Sequence, residues 1–133
     1  MDTSVFFTYS SPAAERTTGL LTEITAEDWD ALLAATETLR FRPGDVVLRA
    51  GERDRALYLL LDGAVAGIRA PAAVGVVAFL DGLPQAETLR ADTHGELARL
   101  SWDAFEALSA RDARLGRAIL LELARDLAAR LRA

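Results

Sequence analysis

The sequence predicts an α+β domain, a small roll of short β-strands with one helix before it and helices after it. Three observations carry this. Between Phe41 and Leu100, short apolar runs alternate with Gly-, Pro- and Asp-containing turns at intervals of about 8–12 residues, the rhythm of a compact β-sandwich or barrel-like roll. On either side, at about 26–37 and 102–131, apolar positions recur at helical spacing behind good N-cap residues. The chain has 133 residues, 51% of them hydrophobic and 26% charged, which suits one folded domain of about 20–133 and leaves little room for a second.

Residues 1–19 mix Ser, Thr and Pro and sustain no periodicity, so they read as an irregular arm and a natural start. Their apolar cluster Val5-Phe6-Phe7 either tucks onto the domain or holds a partner. Thr25 followed by Asp28 forms a capping box, in which each side chain satisfies a free N–H of the first turn. Trp29, Leu32, Leu33 and Thr36 then share one face of a helix that stops before Phe41.

From Phe41 the turns are Pro43-Gly44-Asp45, Ala50 to Asp54, Asp62-Gly63, Asp81 to Pro84 and Asp92 to Gly95. Between them lie strands at Val46–Arg49, Leu57–Leu61, Ala64–Arg69, Glu87–Ala91 and Glu96–Leu100, with Ala64–Arg69 returning beside Leu57–Leu61. Val74–Leu80 is too short for periodicity to choose between helix and strand. Gly44, Gly51 and Gly63 fall where positive φ is expected.

Ser101 caps a helix through Leu108, and Asp112 caps a longer one through Leu131. In the latter, Leu120, Ala124, Leu127 and Leu131 recur at spacings of 4, 3 and 4, a coiled-coil-like seam that Ile119 and Leu123 widen. This stripe either packs wholly on the roll or leaves part of itself for a second copy or a partner helix.

Composition narrows the function classes. No Cys is present, so disulfides, thiolate chemistry and Cys-bound metals are out. A lone His94, in a turn, makes a histidine metal cage or a Ser–His–Asp triad implausible, and no catalytic or metal-ligating set is expected. Glu52, Asp54 and Asp81 sit in separate turns and read as hydrated rather than catalytic. All 15 basic residues are Arg, the mark of a composition bias rather than of a site. The arginines of the last two helices alternate with Glu106, Asp112, Glu122 and Asp126, as on a salt-bridged solvent face. A net charge of −5 argues against nucleic acid as partner. No apolar stretch approaches the roughly 20 residues of a membrane helix, and no signal-peptide pattern opens the chain, so membrane insertion is not expected and the expected compartment is the cytoplasm.

Phe41-Arg42-Pro43-Gly44-Asp45, Gly51-Glu52, Leu57-Tyr58-Leu59-Leu60-Leu61-Asp62-Gly63, Gly75 to Leu80, Asp81-Gly82-Leu83-Pro84, and Leu100-Ser101 leading into Phe105 and Leu108 follow one another in a telling order. That order resembles the cyclic-nucleotide-binding domain family, the sensor module of catabolite-activator-type regulators, kinase regulatory subunits and gated channels, over about Leu20 to Leu131. The resemblance implies a double-stranded β-helix, or jelly roll, between an N-terminal helix and C-terminal helices. It also implies a phosphate-binding cassette. In the family a Gly-Glu pair opens a short helix facing the cyclic phosphate, the Glu takes the ribose 2′-hydroxyl, and a later Arg pairs with the phosphate.

The cassette positions here are Gly75, Val76, Val77, Gln85 and Ala86. Val76 stands in place of the Glu and Gln85 in place of the Arg. Losing the Arg removes about 1.5–3 kcal/mol, and losing the Glu about 1–3 kcal/mol more. Together they weaken binding by roughly two to four orders of magnitude. Glu87 adds a negative charge if it points inward. Arg90 falls on the opposite face of its strand, and nothing requires Arg69 to reach the site, so neither replaces the missing cation. Only eleven residues separate Gly63 from Gly75, so the family's pocket-wall hairpin is cut short or replaced by the Ala70-Pro71-Ala72-Ala73 bend. The expected pocket is narrow and apolar, lined by Val74, Val76, Val77 and Phe79.

The expected function is therefore a non-enzymatic regulatory or scaffolding module that acts through protein–protein contacts, with no cofactor. Its interface is the seam Leu120/Ala124/Leu127/Leu131, through self-association or a protein partner. The alternative is a small-molecule sensor of altered specificity, for a cyclic nucleotide or a less charged ligand, with the amides near Gly75–Val77 as its contacts.

Overall fold

The computed structural model describes Leu21 and residues 23–133; the predicted arm and its Val5–Phe7 cluster lie outside the described residues. Helix α1 (Ala26–Ala34) is followed by β1 (Glu37–Phe41), β2 (Val46–Leu48), β3 (Ala56–Asp62), β4 (Ala64–Val65), β5 (Ile68–Arg69) and β6 (Ala72–Val74). Then come α2 (Val76–Asp81), β7 (Leu89–Arg90), β8 (Gly95–Ser101), α3 (Trp102–Arg111) and α4 (Ala113–Arg132). An antiparallel sheet of order β1-β8-β3-β6 forms the main wall, and the pairs β2-β7 and β4-β5 complete the roll.

Strand β3 organises the interior because both of its faces are covered: every residue from Ala56 to Leu61 is buried. Leu57, Leu59 and Leu61 point to the helices, where they meet Trp29, Leu32, Phe79, Leu100, Phe105, Leu115, Ile119 and Leu123. Ala56, Tyr58 and Leu60 point into the roll, among Phe41, Leu48, Val65, Val74, Ala91 and Leu97.

The capping residues act as their chemistry dictates. Thr25 and Asp28 exchange hydrogen bonds of 3.0 Å in the capping box. Ser101 Oγ accepts from Ala104 N and Asp112 Oδ1 from Leu115 N, both at 3.1 Å. Gly44, Gly51 and Gly63 all have positive φ. Asp28 does a second job. Its buried carboxylate also accepts from Arg114 Nη2 at 2.5 Å, tying α1 to α4. That bond, with Arg114's charge and the Thr25 bonds, outweighs burial and holds the Asp28 carboxyl below its usual range.

Three boundaries depart from the sequence reading. Helix α1 ends at Ala34, not near residue 37, because Glu37–Phe41 is already a strand paired with Gly95–Arg99. Ala64–Arg69 is not one strand returning along β3. It folds on itself as the β4-β5 hairpin about Ala66-Gly67, and β6 is the strand that returns beside β3. Only Leu89–Arg90 of the expected strand at 87–91 is regular, with Ala91 bridged to Val65. Trp29, on the predicted apolar face of its helix, is a core residue, and His94 is exposed in its turn.

Candidate functional site

The segment after β6 turns sharply at Gly75, whose φ of 78° suits glycine, and opens α2 as its N-cap. Space is tight there as well: a Cβ would lie 3.2 Å from Ala56 O. Val74–Leu80, undecided in the sequence, is thus the end of β6, the Gly75 turn and most of α2.

The helix turns Val76 and Phe79 to the same side, where both are buried in the helix-facing core, and leaves Val77 56% exposed. Phe79 therefore does not line the pocket as expected. It packs edge-on against Trp102 and Phe105, with centroids 5.1 and 5.4 Å away. Arg55 fastens the far end of α2. Its Nε and Nη2 donate to Phe79 O and Leu80 O at 2.9 and 3.0 Å, and its guanidinium lies 3.6 Å from the Trp102 ring centroid.

After Asp81-Gly82 the chain returns through Pro84 to Gln85, which is clamped by its backbone. Gln85 N donates to Glu52 O at 2.9 Å, and Gly51 N donates to Gln85 O at 2.8 Å. The Gln85 side chain is buried, 7% exposed, and its Nε2 donates to Asp54 O at 3.2 Å. The five residues Gly75, Val76, Val77, Gln85 and Ala86 all line one cavity of about 200 Å³, between α2, the β5 edge and the segment leading to β7. Val74 lines it too, and so do two charged residues, Glu87 and Arg130. Arg69 and Arg90 do not; Arg90 Nη1 donates instead to Gly44 O at 3.1 Å.

Beneath the cavity runs a polar row that the sequence reading missed. Glu37, Arg99, Tyr58 and Val74 are successive cross-strand partners on β1, β8, β3 and β6. The Tyr58 hydroxyl and Arg99 Nη2 both donate to the Asp54 carboxylate, and Arg99 Nε donates to Tyr58 Oη at 3.2 Å. Burial and the neighbouring Asp54 push the Tyr58 hydroxyl up to about 12. Burial pushes the Asp54 carboxyl up, but the bonds from Arg99 and Tyr58 outweigh it and leave it low. The bond to Asp54 raises the Arg99 guanidinium. The backbone carbonyl of this same Asp54 receives the amide of Gln85, which lines the cavity, so one hydrogen bond ties the cavity wall to the network.

The C-terminal seam divides. Leu115, Ile119 and Leu123 are buried against the roll, so Ile119 and Leu123 belong to the core rather than to an outward stripe. Leu120 and Leu131 are 36% and 87% exposed, Ala124 is exposed, and Leu127 is half-buried at the edge of the core. An open groove between α3 and α4, lined by Trp102, Phe105, Ser109, Gly116, Leu120 and Leu121, continues from this face. Gly116 lets the helices approach closely there, since a Cβ at that position would collide with Ser109. Several arginines of the stripe are paired, Arg125 with Glu23 at 2.7 Å and Arg130 with Asp126 at 2.8 Å. Among the described residues no three His, Cys, Asp or Glu side chains gather as a metal site, and no helix is long and apolar enough to cross a membrane.

Comparison with known proteins points one way. The cyclic nucleotide-binding domain family matches residues 38–112. A cAMP-dependent protein kinase regulatory subunit of Hypocrea atroviridis is 29% identical over 98 residues, 67% of this chain but 21% of that subunit, so the chain spans about a fifth of that relative. A cyclic nucleotide-binding domain from Methylobacillus flagellatus superposes with a TM-score of 0.83 at 25% identity, over 94% of this chain and 79% of the other. The catabolite activator protein of Thermus thermophilus, 23% identical, shares the fold with a TM-score of 0.75 over 86% of this chain and 59% of its own.

Proposed function

The chain belongs to the cyclic nucleotide-binding domain family, and from that premise we propose that it is a non-enzymatic regulatory module, cytoplasmic, that does not grip a cyclic nucleotide in the usual way and acts through contact with a second copy of itself. The observation that carries this is Gln85, a buried carboxamide committed by its nitrogen to Asp54 O where the family's cation belongs. Val76 beside it is buried among apolar groups and offers nothing to a ribose hydroxyl. A glutamate restored at Val76 would itself be a buried charge, so the loss is built into the packing. The surface argument rests on Leu120, Ala124, Leu127 and Leu131. Their 4-3-4 spacing places leucine at three of the four seam positions, a pattern that pairs with an identical helix, and among the described residues Leu131 is left 87% exposed and Leu120 36% exposed.

Titration calorimetry with cyclic AMP and cyclic GMP tests the degenerate site. The wild-type chain is expected to show no micromolar binding, and Gln85→Arg is expected to gain about ten- to a hundredfold in affinity. Micromolar binding by the wild type overturns the reading, as does a Gln85→Arg variant that folds and gains nothing.

A second reading, a sensor of altered specificity, is favoured by one observation. The cassette residues still line a half-open cavity rather than collapsing upon each other.

A further inference from the structure

Three places remain unexplained by a protein-contact module: the groove between α3 and α4, the Arg55–Trp102 stack, and the cavity beside α2. The cavity carries an argument about ligand chemistry. It rests on the sensor reading, and it goes further by naming what the sensor takes.

The space is about 200 Å³. Drug-sized ligands occupy roughly 300–1,000 Å³, whereas an apolar cavity of about 150 Å³ takes benzene. A single ring with one small substituent is the matching size. The walls are mostly valine, alanine, leucine and isoleucine side chains. Charge at the rim is balanced: Glu87 and Arg130 are both exposed, and Arg130 is already held by Asp126 at 2.8 Å.

The one buried polar side chain on the wall is Gln85. A backbone carbonyl only accepts, so the amide nitrogen must be the atom facing Asp54 O. That leaves Oε1 and the second N–H without a partner among the described residues. Oε1 is not among the sealed polar atoms without a partner, so it reaches water, which a ligand can displace. A ligand that returns one donor and one acceptor to the carboxamide would satisfy it, and a neutral amide does both. An anion would meet the Oε1 lone pairs, and the lining's one cation, Arg130, is exposed and already paired with Asp126; a cation would meet only the exposed Glu87 and no buried carboxylate.

We infer that this cavity binds a small, uncharged, largely apolar molecule that carries an amide-like hydrogen-bonding group, with Gln85 as the residue that recognises it. Arg130 lies near the end of α4, so an occupied cavity abuts the helix that presents the seam.

The test uses three ring compounds of one shape and different charge: benzamide, benzoate and benzamidine. Binding is followed by amide chemical shifts of Gly75, Val76 and Gln85 in the full chain, with cyclic AMP as a fourth titrant. Benzamide is expected to bind in the millimolar range and to be preferred over both charged analogues. Gln85→Met keeps the side-chain volume, and Asp54 O retains Ala56 N as a donor at 3.0 Å, so the variant is expected to fold. It should bind benzamide about five- to tenfold more weakly. Ile68→Phe, which fills the cavity from its opposite wall, should abolish binding. Benzoate, benzamidine or cyclic AMP binding in preference to benzamide overturns this inference while leaving the sensor reading intact. No binding by any of the four overturns both. Benzamide binding indifferent to Gln85→Met or Ile68→Phe places the ligand elsewhere and overturns the assignment.

Discussion

On the helix side of β3, Leu57, Leu59 and Leu61 meet Phe79, Phe105, Leu115, Ile119 and Leu123, large side chains that interlock. On the roll side, Ala56, Tyr58 and Leu60 meet Phe41, Leu48 and Leu97 together with the smaller Val65, Val74 and Ala91, and the packing gives way to a polar row and a cavity. One strand therefore separates a half built for stability from a half that keeps space. The contrast recurs within α2, whose Phe79 is buried on the helix side away from the cavity while Val77 stands at it. Changes on the first side should unfold the domain, and changes on the second should alter what it binds.

The largest expected effect tests the first half. Phe79 is fully buried and edge-packed on two aromatic rings. Phe79→Ala should lose about 3–5 kcal/mol of unfolding free energy in urea titration. A loss below about 1 kcal/mol would mean the helix-side core is looser than its packing shows, and the division would fail.

An intermediate effect tests the polar row. The Tyr58 hydroxyl is raised from 10.0 in the unfolded chain to about 12 in the fold. Between those values the native state binds the extra proton, so stability should be full below pH 10 and fall as pH rises towards 12. Asp54 and Asp28 are lowered from 3.8, so the unfolded state binds more protons in acid. Their contribution is present above about pH 4 and fades as pH falls through their folded values. Chemical denaturation at a series of pH values should show both shoulders. Tyr58→Phe should erase the alkaline one and shrink the acidic one, because it removes one of the bonds holding Asp54 low while leaving Arg99 and the Asp28 pairing in place; an alkaline fall unchanged by Tyr58→Phe assigns it elsewhere.

How much of this was legible in the sequence follows the range of the forces. Thr25-Asp28, Ser101 and Asp112 act on backbone within one turn, and their identities alone mark the helix starts. The cassette positions Gly75 to Val77 and Gln85-Ala86 come together on one cavity because a local turn and a short helix place them. What escaped is set by partners distant in the chain. Glu37–Phe41 is mostly polar and becomes a strand only because β8 lies beside it. The Tyr58–Arg99 pairing depends on strand register, and Arg130 reaches the cavity from the far end of α4. Phe79 was misplaced because seven residues cannot separate a period of 3.6 from one of 2, and only the helix turns it away from the cavity.

The smallest effect on stability should be the largest on assembly. Leu131 is 87% exposed, so burying it within one domain is not what keeps it apolar. Leu131→Asp removes little packing among the described residues and should change unfolding free energy by no more than about 0.5 kcal/mol. If α4 pairs with a second copy, light scattering should show a wild-type mass that rises with concentration and a variant that stays monomeric. The stretch from Leu120 to Leu131 spans only about 17 Å of helix axis, so the association should be weak and visible only at high protein concentration. A wild-type chain that remains monomeric there removes the second copy as the seam's occupant. A variant that associates as strongly as the wild type moves the contact to another surface. Either result leaves the division across β3 standing, because that division concerns the inside of the domain and the seam lies on its outside.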